Sequence, residues 1–205
     1  MARPTGTRNP GFAGRREKLL TRLHTALVVS GPPPSLRSLA AAAGVSIPTL
    51  RHYFGDRAAI LGAVYENARA DGREPLSHVA QPQGSPLESV EELLRFAWAG
   101  LEQGGVGSLH GLGLREGLAD PAAARGYRND VLEPTLDAFA ERLAAHHDAN
   151  EMVIPDPRRA AVQLLGPLLL AWLHQHPLGG DSDHEIDVDE LLTETAAAFV
   201  RGHGG

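Results

Sequence analysis

The stretch Ser35-Leu-Arg-Ser-Leu-Ala-Ala-Ala-Ala-Gly-Val-Ser-Ile-Pro-Thr-Leu-Arg-His-Tyr-Phe54 decides the fold. Leu36, Leu39, Ala40 and Ala43 recur at helical spacing and give a short helix one apolar face, with Ser35 placed as its N-cap. Gly44 follows, a residue suited to the left-handed conformation that ends a helix and turns the chain. Val45 plugs the turn and Ser46 caps the next helix. Pro48 is tolerated in the first turn of that helix, because the N–H it lacks has no intrahelical partner there. Leu50 and Phe54 stand four residues apart and face inward, leaving Ile47, Pro48, Thr49, Arg51, His52 and Tyr53 on the outer and flanking faces. Two short helices crossed at a glycine turn, the second with a cationic outer side, suit the reading of a DNA major groove. Pattern alone also admits a buried helical hairpin with a polar outer face.

Upstream, Leu19, Leu20, Leu23, Ala26 and Leu27 form the stripe of a helix expected from about Arg15 to Ser30, stopped by Gly31 and Pro32-Pro33-Pro34. Downstream, Asp56 caps a fourth helix expected to reach Ala70. The glycines and prolines of residues 71–86 predict a loop or an interrupted helix. Further helices are expected over about 87–103, 108–118, 121–148, 157–176 and 188–201, with Pro134 and Pro167 kinking or splitting theirs. No segment alternates as a strand does. The fold class is therefore all-α: an N-terminal three-helix helix-turn-helix domain over residues 15–57, a flexible basic arm over 1–14, and a larger helical bundle over 58–205.

Charge divides the chain at the same place. Residues 1–57 hold nine Lys/Arg and two Asp/Glu, a balance of +7, whereas the whole chain carries −6, so the remainder carries −13. A basic head on an acidic body points the head at a polyanion. The composition is that of an ordinary globular protein, 42 % apolar and 21 % charged. The absence of cysteine excludes disulfides, thiolate metal sites and a cysteine nucleophile. Residues 1–14 carry no apolar signal-peptide core, and Leu164 to Leu173, interrupted by Gly166-Pro167, is far short of a bilayer span. A cytoplasmic location is the expectation.

The run Gly44-Val-Ser-Ile-Pro-Thr-Leu-Arg-His-Tyr-Phe-Gly-Asp-Arg57 resembles the signature of the TetR (tetracycline repressor) family of transcriptional regulators, and the likeness extends over about residues 15–65. This chain has Arg51 where the family pattern has tyrosine, Tyr53 at the histidine position and Arg57 at the lysine position. The resemblance implies a sequence-specific double-stranded DNA partner with a pseudo-palindromic operator. It suggests Arg37, Ile47, Pro48, Thr49 and His52 as candidates for base edges and Ser35, Arg51, Tyr53 and Arg57 for the phosphates. Arg51 also has the reach and donor geometry for a guanine edge. Arg3, Arg8, Arg15 and Arg16 are candidates for a basic arm over the duplex, or for an uninvolved tail.

The resemblance further implies a ligand-binding and dimerisation domain, in which a small molecule releases a homodimeric repressor from its operator. Phe96, Trp98, Leu101, His110, Leu114, Tyr127, Leu132 and Phe139 are candidates to line the pocket, or to be plain core. Gly104, Gly105, Gly107, Gly111 and Gly113 are expected to loosen one wall of it. The last two long helices are the expected dimer interface, through Leu164, Leu168, Trp172, Leu191, Leu192, Thr195 and Phe199. A regulator without a small ligand, or an activator, is the alternative.

His146-His147-Asp148, His174-Gln175-His176 and His184-Glu185 are read as solvated surface, since neighbouring helical positions point apart and make no compact metal site. With no phosphate-binding loop, nucleophile elbow or zincin motif, neither an enzyme nor a cofactor or metal is expected.

Overall fold

A computed structural model of the chain describes residues 10–29, 31–103 and 105–204. The described residues form helices and connecting turns, with no strand among them. The order is α1 (Pro10–Val28), α2 (Leu36–Ala43), α3 (Ile47–Phe54), α4 (Arg57–Val79), α5 (Pro86–Glu102), α6 (Val106–Gly117), α7 (Pro121–Tyr127), a π turn (Arg128–Leu132), α8 (Glu133–Asp148), α9 (Pro157–Gln175) and α10 (Val188–His203).

Two boundaries differ from expectation. The first helix starts five residues early, at Pro10, so residues 10–14 are helical rather than part of a flexible arm; Arg3 and Arg8 lie outside the described residues. The fourth does not stop near Ala70 but continues through Pro75 to Val79. Proline removes one donor at an exposed position, and burial of Val79 and Ala80 against the body, with Leu76 packed beside them, outweighs that loss. Over residues 121–148 the wide π turn lies just before Pro134, where the missing amide disrupts the ordinary hydrogen-bond ladder.

Two apolar cores result. One gathers Leu23, Leu27, Leu39, Leu50, Phe54, Ile60 and Val64 from the first four helices, and is completed by Leu109 and Leu112 of α6 and Tyr127 of α7. The other holds Leu93, Leu94, Phe139, Leu143, Ala161, Leu164, Leu168 and Ala196, from α5 and α8 to α10. The basic head therefore does not close on itself. Helix α6 contributes to its interior.

Candidate nucleic-acid interface and adjoining cavity

Helix α2 begins as its sequence directs: the Ser35 hydroxyl accepts from the Ser38 amide at 3.1 Å. It ends at Gly44, φ +70°, whose N–H donates to the Ala41 carbonyl at 3.0 Å while that of Val45 donates to Ala40. This left-handed cap turns the chain into α3 within two residues. Arg22 of α1 donates to the Ala43 carbonyl at 3.0 Å, satisfying a terminal acceptor of α2 and fixing α1 against it.

Helix α3 opens on Ser46, whose hydroxyl accepts from the Thr49 amide at 3.2 Å. Leu50 and Phe54 are buried beneath it, and Pro48, Arg51 and His52 are exposed. Ile47, Thr49 and Tyr53 are half-buried along its flanks, and Arg37 is exposed on α2. Arg37, Pro48, Arg51 and His52 are thus open to solvent on the head.

Two α1 residues complete the arrangement: Phe12, which is not among the expected contacts, and Arg16, a candidate for the basic arm. Phe12 stacks on Tyr53, with ring centroids 4.6 Å apart, and meets His52 edge-on at 5.8 Å. The Arg16 guanidinium lies 4.9 Å above the Phe54 ring, an attractive cation–π geometry. The signal was present in the spacing: Phe12 and Arg16 continue the stripe of Leu19, Leu20 and Leu23 toward the N-terminus.

Arg57 departs from the expectation. Its Nη1 and Nη2 donate to the two Glu116 oxygens at 2.7 and 2.8 Å, and its Nε donates to the Pro34 carbonyl at 3.0 Å. All three donor nitrogens of the guanidinium serve intramolecular contacts, because the nearly buried Glu116 needs a counter-charge. The hydrogen bonds from Arg57 hold the Glu116 carboxyl below the usual range, and the carboxylate in turn raises Arg57. Next to it, Arg115 donates to the Leu27 carbonyl at 2.7 Å and to those of Val29 and Gly31 at 3.3 and 3.4 Å. The C-terminal end of α6 is thus clamped to the end of α1 and the start of α4.

The other end of α6 borders a cavity of about 430 Å³, enclosed also by α4, α5 and the π turn. Of the expected lining residues, Phe96, Leu101 and His110 reach it. Tyr127 stands behind His110, its hydroxyl 2.6 Å from Nδ1. The other four lie elsewhere: Phe139 is deep in the body core, Trp98 packs on that core, and Leu114 and Leu132 pack on the core of the head. Helix rotation explains Trp98, since Phe96, Ala97, Gly100 and Leu101 occupy the cavity side of α5. The α6 glycines do not loosen the wall uniformly. A Cβ at Gly113 would enter the Tyr127 ring, and one at Gly107 would enter the Trp172 indole, so both are sites of close helix approach.

The expected dimer residues are corrected more sharply. Leu164, Leu168, Trp172, Leu192 and Phe199 are buried inside their own chain. Helix α9 is apolar on more than one face, so periodicity alone does not say which face turns inward. Its outward face carries Val162 and Leu170, 51 % and 68 % exposed, while Leu191 and Thr195 of α10 remain partly exposed.

His146 is not solvated as expected. It is buried, with Nε2 2.7 Å from the Ser89 hydroxyl and Nδ1 2.6 Å from a Glu151 oxygen. Among the described residues no group of three or more His, Asp or Glu is placed to hold a metal ion, and no helix is long and apolar enough to cross a membrane.

A helix-turn-helix head carried on a larger helical body, with a cavity between the body helices, is the architecture of the TetR-type regulators. The chain adopts that fold. It superimposes on a protein from Mesorhizobium loti assigned to the TetR family of transcriptional regulators with a TM-score of 0.77 at 16 % identity, over 98 % of this chain and all of the other. The Bacillus subtilis transcriptional regulator FadR, in complex with stearoyl-CoA, gives 0.68 at 16 % identity, covering 91 % of this chain and 98 % of its own. The flavonoid-responsive regulator FrrA gives 0.65 at 20 % identity, covering 94 % and 98 %. No protein-family model matches the sequence, and no curated protein does.

Proposed function

We propose that this protein is a sequence-specific DNA-binding transcriptional regulator, a homodimeric repressor released from its operator by a small ligand. The observation that carries the reading is α3, a capped helix seated on α2 with Arg51 and His52 on its exposed side, and with Arg37 exposed on α2. Arg37, Ile47, Pro48, Thr49 and His52 face base edges, and Arg51, Tyr53 and the α2 N-terminus at Ser35 face phosphates. Arg57 leaves that set, since Glu116 holds it.

Reading two successive major grooves needs two heads about 34–36 Å apart, which a second copy of the chain supplies. The exposed face of α9 around Val162 and Leu170, with Leu191 and Thr195 of α10, suits such pairing.

Helix α6 joins the two activities. Leu109 and His110 border the cavity, while Arg115 and Glu116 grip the head about two turns further on. A ligand that favours one position of α6 also favours one spacing of the two heads, and so shifts the population toward or away from the form that fits the operator.

Selection of duplexes from a random pool by the full-length protein, followed by fluorescence anisotropy on the enriched sequence, tests the assignment. The expected result is an inverted repeat bound far more tightly than unrelated DNA. No enrichment, or equal affinity for every duplex, overturns it.

A further inference from the structure

The chemistry of the cavity specifies more than its existence. Its inner walls are apolar, formed by Leu101, Val106, Leu109, Leu165 and the Phe96 ring. Among the described lining residues the permanent cation is Arg69, an exposed residue paired with Asp130 at 3.3 Å. Asp71, also exposed, accepts from Asn67, and the half-buried His24 of α1 has its imidazole pKa lowered chiefly by burial, against an opposing pull from Asp71. Charged groups thus stand toward the rim, where Arg69 pairs with Asp130 and the Asp71 carboxylate lies beside the Asn67 amide.

One buried polar group faces the interior. His110 is 3 % exposed, and its Nδ1 lies 2.6 Å from the Tyr127 hydroxyl. Among the described residues that hydroxyl has no other acceptor, so the arrangement leaving no buried O–H unmet has Tyr127 donating to Nδ1. The ring proton then sits on Nε2, which has no hydrogen-bond partner among the described residues, and His110 lines the cavity. Burial lowers the imidazole pKa to about 4, so the ring is neutral at physiological pH, and burial also keeps the Tyr127 phenol protonated.

We propose that this cavity binds an uncharged, mainly apolar molecule carrying one hydrogen-bond acceptor, such as a ketone or ester oxygen, which receives the Nε2–H of His110. The proposal rests on the ligand-responsive reading above and names the class of its ligand. A carboxylate finds no unpaired cation in the interior, and a cationic group meets a donor where it needs an acceptor. At about 430 Å³ the cavity is within the range of small-molecule sites, about 300–1,000 Å³.

The test uses the full-length protein without DNA, with Nile red as a fluorescent cavity probe and three competitors of similar size: hexanophenone, hexylbenzene and 4-pentylbenzoate. Hexanophenone is expected to displace the probe at about tenfold lower concentration than hexylbenzene, as one net hydrogen bond implies, and the benzoate is expected to be weakest. His110→Phe keeps an aromatic ring but removes the donor. It should bring the ketone and hexylbenzene to displacing concentrations within about twofold of each other, a ratio read within the one variant and so independent of any general loss from the orphaned Tyr127 hydroxyl. A benzoate that competes best, a ketone advantage surviving in His110→Phe, or no displacement by any of the three overturns the proposal.

Imidazole ¹⁵N spectra of the unmutated protein give an independent measurement. The expected result is a neutral His110 protonated at Nε2, whose Nε2 resonance moves on adding hexanophenone; a proton on Nδ1 overturns the assignment. Failure to bind any duplex in the separate selection experiment would overturn the regulatory reading and leave the ligand class standing.

Discussion

Arg57, in the first turn of α4, and Glu116, in the last turn of α6, form a two-pronged ion pair at 2.7 and 2.8 Å that ties the base of the helix-turn-helix head to the helix bordering the cavity. Glu116 is also 3.5 Å from the Nε of Arg115, so one nearly buried carboxylate faces two guanidinium groups. Removing it leaves both cations without a counter-charge at the joint between head and body.

Glu116→Gln is therefore expected to destabilise the fold by about 1–3 kcal/mol, measured by urea denaturation near neutral pH. On the proposed function, it should also reduce the change in operator affinity produced by a cavity ligand. The hydrogen bonds from Arg57 depress the Glu116 pKa, so the contribution of the pair is fully present above the ordinary carboxylate value of 4.5 and is lost as the pH falls through the lower folded value. Between pH 5 and pH 3 the unmutated protein should accordingly lose more of its stability than Glu116→Gln. Parallel acid titrations of the two proteins check this.

On the proposed function, Arg51→Ala should weaken duplex binding at least tenfold, because the side chain is exposed on α3 and the substitution removes the charge-assisted contact proposed for it. Anisotropy on operator and unrelated duplexes separates its two possible partners. A similar loss on both marks a phosphate contact, and a loss confined to the operator marks a base contact.

Gly113→Ala should cost about 1–3 kcal/mol, since the added methyl enters the space of the Tyr127 ring and forces α6 and α7 apart. Gly166→Ala, on the exposed side of α9 with open space around its Cα, should be far less damaging. Thermal melts of the two variants provide the comparison.

Leu170→Arg is expected to convert the proposed dimer to a monomer with little loss of monomer stability, because the side chain is 68 % exposed within its own chain. Trp172→Arg should instead unfold the protein, since that indole is buried and packed against Gly107 of α6. Sedimentation and circular dichroism together distinguish the two.

Much of the head is legible in the sequence because its signals are local. Ser35, Ser46 and Asp56 each cap the helix they precede, and Gly44 takes the left-handed conformation expected of it. Leu50 and Phe54 turn inward as their spacing requires. The continuation of α4 through Pro75 is less legible, because a proline reads locally as a stop while its neighbours find distant apolar partners. Phe12 belonged to a readable stripe but lay in a basic segment that resembled a tail.

What the chain order alone determined is therefore the set of choices made within one or two helical turns: where helices begin, where they end, and that a basic head precedes an acidic body. Tertiary packing decided the rest. It gave Arg57 a partner 59 residues away, turned Leu164, Leu168 and Trp172 inward rather than toward a second subunit, and left His110 as the polar donor in an apolar cavity. Helical periodicity states that a face is apolar, and only the neighbouring helices state what that face will meet.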